Sequence, residues 1–310
     1  MRGHCKSFCR DIFTHVFFIE FSMKSSYSEW ITIRGLQYHI RHWGEPDAPV
    51  LFMLHGWMDV SASFQFLVDS LQGEWHVIAP DWRGFGLTDH AAGNYWFPDY
   101  LADLDAILQH YSPEHAVNLL GHSLGANVAG IYAGVRSQRV KRLVLLEGFG
   151  MPATQAQDAP ARFTNWLDEL REPPLLRNYG SSAEVARRLQ KNNPRLNNER
   201  AAFLSVHWAV PDKDGRWELQ ADPAHRLSNP YLYRIEEVLA CWRAITAPVL
   251  WVEGKQSELL ARFGTDPRAV IAERIACIAD AQVVLLDDAG HMLQHDQPEK
   301  LAAAMEQFLA

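Results

Sequence analysis

The chain has 310 residues, of which 48% are hydrophobic and 21% are charged. That length allows one large buried core with room for an inserted piece, and the composition is typical of a globular protein. The formal net charge is −8, and the Lys and Arg residues are scattered along the chain. We therefore expect neither nucleic acid nor an anionic membrane surface as a partner.

Cysteine usage points to a reducing compartment. The four cysteines show no zinc-type spacing, and a disulfide framework is not expected in a chain of this length; they are Cys5, Cys9, Cys241 and Cys277. No apolar run reaches the roughly 18 residues of a membrane-spanning helix. The sequence therefore predicts a cytoplasmic protein without a structural metal.

Residues 1–22 resemble a signal peptide only in outline. Basic residues precede the apolar run Ile12–Phe21, but His15 and Glu20 interrupt that run and no small-x-small cleavage site follows it. We interpret residues 1–22 as an upstream extension and Met23 as the start of the protein.

Strand and helix patterns alternate from residue 30 onward. Trp30–Arg34 and Leu36–His42 flank Gly35 and predict an antiparallel hairpin. Short apolar runs predict strands that are buried on both faces: Val50–Leu54, Val77–Ala79, Ala116–Leu120, Val140–Leu146, Val249–Val252 and Val283–Leu286. Helical patterns separate them: Ser63–Leu71, Asp99–Tyr111, Ala126–Val135, Pro267–Ile278 and Pro298–Leu309. Because parallel strands need crossover helices, we expect an α/β fold with a mostly parallel eight-stranded sheet.

Residues 151–245 break this alternation. They contain no buried-strand run, and Arg162–Leu170 and Ala183–Lys191 have helical patterns. We therefore predict a helical cap inserted into a core of residues 23–150 and 246–310. Its aromatic residues either line an apolar cavity or pack the cap onto the core; they are Phe163, Trp166, Tyr179, Phe203, Trp208 and Trp217.

The segment 121–125, Gly-His-Ser-Leu-Gly, fits the pattern G-x-S-x-G. It follows a predicted buried strand and precedes an Ala/Gly-rich helix. A sharp strand-to-helix turn exposes the hydroxyl of its serine, and the small flanking residues let strand and helix approach each other. Ser123 is therefore the candidate nucleophile.

Two further segments lie directly after predicted strands. An acyl-transfer enzyme needs two backbone N–H groups directed at the oxyanion, and we expect these from Leu124 and from Trp57 in His55-Gly56-Trp57. We interpret the His55 side chain as structural. We also interpret residues 81–86, Asp-Trp-Arg-Gly-Phe-Gly, as a structural loop with an internal ion pair.

His291 occupies the loop between the last apolar strand and the last helix. A general base has to approach the serine from a loop at the carboxyl edge of the sheet. This location makes His291 the candidate base among the 14 histidines.

Together these segments resemble the α/β-hydrolase superfamily, particularly capped members related to epoxide hydrolases, haloalkane dehalogenases and small carboxylesterases. The resemblance rests on the motifs at 55–57, 81–86, 121–125 and 289–292. It implies the order nucleophile, acid, histidine, and chemistry without a metal or an organic cofactor. Epoxide hydrolases and dehalogenases carry an aspartate where this chain has Ser123, so neither of those activities is expected.

The acid of such a triad has two candidate locations. The family most often has it after the strand that follows the cap, but that spacing falls on Ser257, and Glu258 comes one residue late. The other location is the end of the strand before the cap, where Glu147 follows an apolar run. We favour Glu147, with Glu258 as the alternative and Ser257 as an auxiliary hydrogen-bond partner of His291.

These residues predict a serine hydrolase that cleaves small apolar carboxylic esters through an acyl-enzyme. The alternatives on the same triad are hydrolysis of a thioester, a lactone or a carbon–carbon bond of a diketone. A non-catalytic binding protein of the same fold is the alternative from another class. The sequence leaves the oligomeric state open.

Overall fold

The computed structural model describes residues 23–91 and 93–310. The interpretation of residues 1–22 as an upstream extension lies outside these residues. Among the residues described, none of the helices has both the length and the apolar character that crossing a bilayer requires.

Eight strands form one sheet in the order β1-β2-β4-β3-β5-β6-β9-β10. β1 and β2 form the predicted antiparallel hairpin, β2 also runs antiparallel to β4, and the remaining neighbours are parallel. The strands are β1 (Ser26–Ile33), β2 (Leu36–Trp43), β3 (Val50–Leu54), β4 (His76–Pro80), β5 (Val117–His122), β6 (Val140–Leu146), β9 (Val249–Gly254) and β10 (Ala281–Leu286). The predicted α/β fold with an eight-stranded, mostly parallel sheet is confirmed.

Helices cover both faces of this sheet. One face carries α1 (Gln65–Ser70), α9 (Leu293–Asp296) and α10 (Pro298–Leu309). The other carries α2 (Phe97–Tyr111), α3 (Leu124–Val135), α7 (Ile235–Arg243) and α8 (Pro267–Ile275). The predicted helix 63–71 begins as a 3-10 turn, Ser61–Phe64, and α8 ends three residues before the predicted Ile278.

Side chains of the central strands alternate between the two cores. In β3, Leu51 and Met53 join the cluster under α1 and α10, whereas Phe52 and Leu54 join the cluster under α2 and α3. This period of two follows from strand geometry and explains the nearly continuous apolar runs.

The expectation that Val283–Leu286 would be buried on both faces is wrong. β10 is the last strand of the sheet, and Val283 and Leu285 are 49% and 45% exposed. An edge strand lacks a neighbour on one side, and in β10 alternate side chains face solvent.

The segment between β6 and β9 contains α4 (Ala159–Arg171), α5 (Ser182–Asn192), α6 (Asn198–Trp208) and α7. It also contains two three-residue strands that the sequence did not predict, β7 (Ala209–Pro211) and β8 (Trp217–Leu219), which pair antiparallel. α5 and α6 share an apolar cluster with Phe66 of α1. α7, which the predicted division assigns to the cap, packs its Trp242 into the core cluster under α3. The division itself remains a prediction.

A buried ion pair ties the loop after β4 to α2. Arg83 donates to both carboxylate oxygens of Asp103, over 2.5 Å from Nε and 2.6 Å from Nη2. The Asp103 side chain is fully buried, and the Tyr38 hydroxyl donates to it as well. Arg83 is therefore the cation of the ion pair expected in residues 81–86, and its partner lies outside that loop.

We expect Asp103→Asn to lower the free energy of unfolding by about 3 kcal/mol, because it removes the buried carboxylate that accepts two hydrogen bonds from Arg83 and leaves only Asp99, 3.6 Å away, as a counter-charge. Urea denaturation followed by circular dichroism measures this loss. Asp168→Asn is the control, since the exposed pair of Asp168 and Arg171 should contribute less than about 1 kcal/mol. Equal losses in both variants would contradict the expectation.

Candidate active site

Ser123 lies in the sharp turn between β5 and α3. Its backbone has φ 52° and ψ −112°, a conformation that residues other than glycine seldom adopt. The Ser123 N–H donates to the carbonyl of Leu146 on the neighbouring strand at 2.9 Å. The strained turn is thus held by the sheet itself, with the serine side chain at its apex.

The glycines on either side of Ser123 are required by close backbone contacts. A Cβ on Gly121 would collide with the carbonyl of Gly125, and a Cβ on Gly125 would collide with the carbonyl of Leu54. Strand β5, helix α3 and the end of β3 therefore meet with no room for a side chain. This contact explains the small residues in the 121–125 motif.

The His291 imidazole lies between Ser123 and Glu147. Its Nε2 is 3.1 Å from the Ser123 hydroxyl oxygen, and its Nδ1 is 3.3 Å from Oε2 of Glu147. Since a carboxylate only accepts, the proton of the neutral ring is assigned to Nδ1, and Nε2 is left to accept from the serine. These three residues, which the sequence analysis named from separate segments, lie together.

Glu147 is held rigidly at the end of β6. Its side chain is buried, and Oε1 accepts the Gly254 N–H at 2.7 Å while Oε2 accepts the Ser257 hydroxyl. Burial raises the pKa of the Glu147 carboxyl, although the hydrogen bonds from His291, Ser257 and Gly254 oppose that rise. A carboxylate with a raised pKa is a better acceptor for the imidazole N–H.

The two alternative acid positions lie near the site in other arrangements. Glu258 is exposed, and its Oε2 lies 3.4 Å from the backbone N–H of His291 rather than from the ring. Ser257 was expected to contact His291, but its hydroxyl donates to Glu147 instead. It does so because the Glu147 carboxylate lies between Ser257 and the imidazole.

The loop after β3 lies against the serine turn. A Cβ on Gly56 would be 3.2 Å from Cβ of Ser123. The loop therefore passes close to Ser123 at Gly56, and Trp57 is the next residue in the chain. Leu124 begins α3, where the first N–H groups lack intrahelical acceptors. Both expected oxyanion donors thus belong to segments that adjoin Ser123.

His55 orders that loop through both ring nitrogens. Nδ1 contacts the Gly56 carbonyl at 2.7 Å, and Nε2 accepts the Trp82 N–H at 2.8 Å. Complete burial lowers the pKa of His55 to about 4, so the ring is neutral around pH 7. Asp81 has a similar structural role, since its carboxylate binds His39 and the N–H groups of Ser61 and Leu87.

Comparison with known proteins assigns the family. The model of the alpha/beta hydrolase fold family matches residues 49–298, which is most of the chain. The chain belongs to the α/β-hydrolase family. It is accordingly a hydrolase of that superfamily, as the resemblance of its motifs implied.

Individual α/β-hydrolases match over nearly their full length. A serine hydrolase-like protein from Danio rerio is 26% identical, covering 90% of this chain and 86% of its own. A 3-hydroxybutyrate-oligomer hydrolase from Cupriavidus necator is 28% identical, covering 89% and 93%. Among solved structures, a thioesterase domain from the curacin biosynthetic pathway has a TM-score of 0.79 at 26% identity and covers 91% of this chain and 99% of its own.

A cavity of about 190 Å³ adjoins the two expected oxyanion donors of this α/β-hydrolase. Sequence reasoning missed the part of its wall that comes from the segment before and within the start of α2. The aromatic run at 94–97, Asn-Tyr-Trp-Phe, was the available signal, but nothing in it indicates which way the rings point. The aromatic residues that line the cavity are Trp57, Tyr95, Trp96, Phe97, Tyr100 and Trp166.

The aromatic residues expected in the cap divide among several environments. Trp166 lines the first cavity, whereas Tyr179 and Trp208 line a second one. Phe203 and Trp217 pack against the cluster of α5 and α6, and Phe163 is 44% exposed. Within residues 23–91 and 93–310, no three His, Cys, Asp or Glu side chains come together in a way that could hold a metal ion.

We expect the free energy of unfolding to fall as the pH is lowered from 7 to 5. His55 and His295 are fully buried, with pKa values lowered by burial to about 4 and about 3. The unfolded chain binds protons below its histidine pKa of about 6.5 while these rings do not, so stability present above pH 6.5 is lost towards pH 4. Each ring should contribute about 2 kcal/mol of this loss.

Urea denaturation at pH 7, 6 and 5 measures the slope. His55→Gln should make it shallower, whereas His110→Gln, at an exposed position, should leave it unchanged. If the free energy of unfolding depends on pH equally in both variants, His55 does not contribute to that dependence.

Proposed function

We propose that this α/β-hydrolase is a serine hydrolase that cleaves small apolar carboxylic esters through an acyl-enzyme. The observation that carries the proposal is the position of the His291 imidazole, 3.1 Å from the Ser123 hydroxyl and 3.3 Å from the Glu147 carboxylate. Ser123 is the nucleophile, His291 the general base and Glu147 the acid that orients it.

The first half of the reaction forms the acyl-enzyme. Neutral His291 takes the Ser123 proton on Nε2 as the serine oxygen attacks the acyl carbon. Glu147 keeps the Nδ1 proton in place and stabilises the imidazolium that forms. The imidazolium then gives its proton to the leaving alcohol as the tetrahedral intermediate collapses.

The second half returns the enzyme to its starting state. His291 takes a proton from water, which attacks the acyl-enzyme, and Ser123 recovers its hydroxyl as the acid leaves. In both halves the N–H groups of Trp57 and Leu124 bind the oxyanion, and each is expected to contribute about 10²–10³-fold to the rate. The N-terminus of α3 adds partial positive charge at the same point.

The substrate class follows from the first cavity and from one relative. A volume of about 190 Å³ with largely aromatic walls suits a short apolar acyl or alcohol group. The relative named a 3-hydroxybutyrate-oligomer hydrolase supports ester cleavage, because oligomers of a hydroxy acid are joined by ester bonds.

Thioester hydrolysis is the second candidate. The observation that favours it is the 0.79 TM-score with a thioesterase domain over nearly all of that domain. The same triad and oxyanion donors would serve, with a thiol as the leaving group. Comparing an oxygen ester with a thioester of the same acyl group separates the two activities.

We further propose that residues 151–245 act as a cap that selects the substrate, because Trp166, Ala224 and Ser228 of that segment line the first cavity. A cytoplasmic setting remains part of the proposal. The free thiols of Cys241 and Cys277 are compatible with it.

A fluorophosphonate probe should label the protein covalently at Ser123, because the strained turn exposes a hydroxyl that His291 activates. Ser123→Ala should abolish the labelling. It should also abolish the hydrolysis of p-nitrophenyl esters, from the acetate through to the hexanoate. Ser205→Ala, at a buried serine of α6, is the matched control and should label normally. Labelling that persists in Ser123→Ala would assign the nucleophile to another residue.

We expect Glu147→Gln to lower turnover by up to about 10⁴-fold, because an amide cannot hold the imidazole in the required tautomer and stabilise its cation. Glu258→Gln should lose less than about tenfold, since Glu258 contacts only the backbone of His291. Steady-state kinetics and melting temperatures on the same preparations measure both effects. A larger loss in Glu258→Gln would move the acid to the loop after β9.

A further inference from the structure

A second cavity, of about 330 Å³, lies between the loop after β3 and the segment 151–245. Residues 57–60 form its wall on the side of the sheet. The opposite wall comes from the chain after α4, from α5 and from the residues around β8. We call it the arginine cavity because Arg177, Arg188 and Arg226 line it.

The positive charge of this cavity is uncompensated. None of its three arginines lies within 4.0 Å of a carboxylate in the described part of the chain, whereas the neighbouring Arg187 pairs with Glu184. The whole chain carries a net charge of −8. The three unpaired guanidinium groups therefore make this cavity positive in a protein that is negative overall. A concave site lined by one sign of charge attracts ligands of the opposite sign.

Two of the arginines are positioned by their surroundings. The Arg177 guanidinium lies 5.4 Å from the centre of the Tyr179 ring, and Tyr179 is itself buried. Arg226 donates from Nη1 to the Leu175 carbonyl at 3.0 Å. A guanidinium has five N–H donors, so both groups keep donors for a ligand and lose less freedom on binding it.

The lining also contains one carboxyl among the described residues, that of Asp59. It is 3% exposed and accepts the Val60 N–H at 2.9 Å. Burial raises the pKa of Asp59 to about 7, so near neutral pH much of it is protonated. Asp59 therefore opposes the charge of the arginines only in part.

The arginine cavity and the first cavity adjoin each other at one shared lining residue, Trp57. This residue lines both cavities, and the first cavity also contains Leu124, the residue after the serine. The Trp57 side chain is 53% exposed. A carboxylate held by the arginines would therefore belong to a substrate that extends past Trp57 from an ester bond at Ser123.

We propose that the arginine cavity binds a carboxylate of the substrate through Arg177, Arg188 and Arg226, so that preferred substrates are small esters bearing a carboxylate remote from the scissile bond. Arginine suits this role because its planar fork matches a carboxylate with two parallel hydrogen bonds. The inference rests on the proposed esterase function and narrows its substrate class.

The test uses two pairs of esters that differ only in charge. The first pair is the mono-p-nitrophenyl ester of adipic acid and the same ester with its free end converted to a primary amide. The second pair carries the charge on the alcohol side, as the hexanoyl ester of 6-hydroxyhexanoate and of its primary amide. The readout is the ratio of kcat/KM, charged over neutral, at low salt after subtraction of spontaneous hydrolysis.

We expect a ratio of about tenfold or more in at least one pair, since a charge-assisted contact contributes roughly 1.4 kcal/mol or more. Arg177→Gln, Arg188→Gln and Arg226→Gln should each lower the ratio, and the triple variant should bring it near one. Their kcat/KM for the neutral esters should stay within twofold. Arg187→Gln removes the same charge from the same helix as Arg188 and should keep the ratio.

Failure of this inference differs from failure of the proposed function. Turnover of the neutral esters with a ratio near one in both pairs, or a ratio that survives in the triple variant, would overturn the carboxylate site alone. Absence of turnover for every ester, together with absence of labelling at Ser123, would overturn the esterase function and the inference with it.

Discussion

The close approach of three backbone segments around Ser123 is the constraint on which the site depends. Because Gly125 touches the carbonyl of Leu54, helix α3 starts against the end of β3, and the loop that follows β3 is brought over the serine. Ser123, in the turn that precedes α3, has a positive φ of 52°, as in the sharp strand-to-helix turn of this family. The residues proposed as oxyanion donors and nucleophile thus belong to segments that meet in one packing contact.

The proposed acid, Glu147, and the residues that donate hydrogen bonds to it come from the ends of two neighbouring strands, β6 and β9. Glu147 follows β6 directly, so its backbone is fixed by the sheet, with its N–H bonded to Val252 of β9 at 3.0 Å. The end of β9, where related proteins most often carry the carboxylate, contributes hydrogen-bond donors instead, from Gly254 and Ser257. Either arrangement brings a carboxylate to the same side of the imidazole, because parallel strands end at one edge of the sheet. The carboxylate beside the imidazole therefore comes from the end of β6 instead of the end of β9, and its position relative to the imidazole is unchanged.

The sequence predicted those parts of the molecule that depend on local pattern, and it failed where distant contacts decide. The central strands, α10 and the turn at Ser123 follow from periodicity and from glycine spacing, which are local properties. The exposure of β10 depends on its position at the edge, and the packing of α7 depends on where Trp242 meets α3; no local signal contains either. The strands β7 and β8 are three residues long, too short for a period of two to be recognised. Cavity walls were missed for the same reason, since they combine residues from segments far apart in the chain.

The residues proposed for catalysis and those proposed for substrate selection lie in different parts of the chain. This separation explains why the sequence indicates the former and not the latter. Of the three residues proposed for catalysis, Ser123 and Glu147 directly follow β5 and β6, and His291 lies in the loop after β10. The two cavities are closed largely by the insertion and by the loop bearing Trp57, which contact the reaction site without belonging to the sheet. Substitutions in the insertion can change the charge and size of these cavities while the hydrogen bonds among Ser123, His291 and Glu147 stay as they are. Because the guanidinium groups lie on the wall formed by the insertion, the proposed preference for a charged substrate depends on the insertion, whereas the proposed order of bond making and breaking depends on the sheet edge near Ser123, His291 and Glu147.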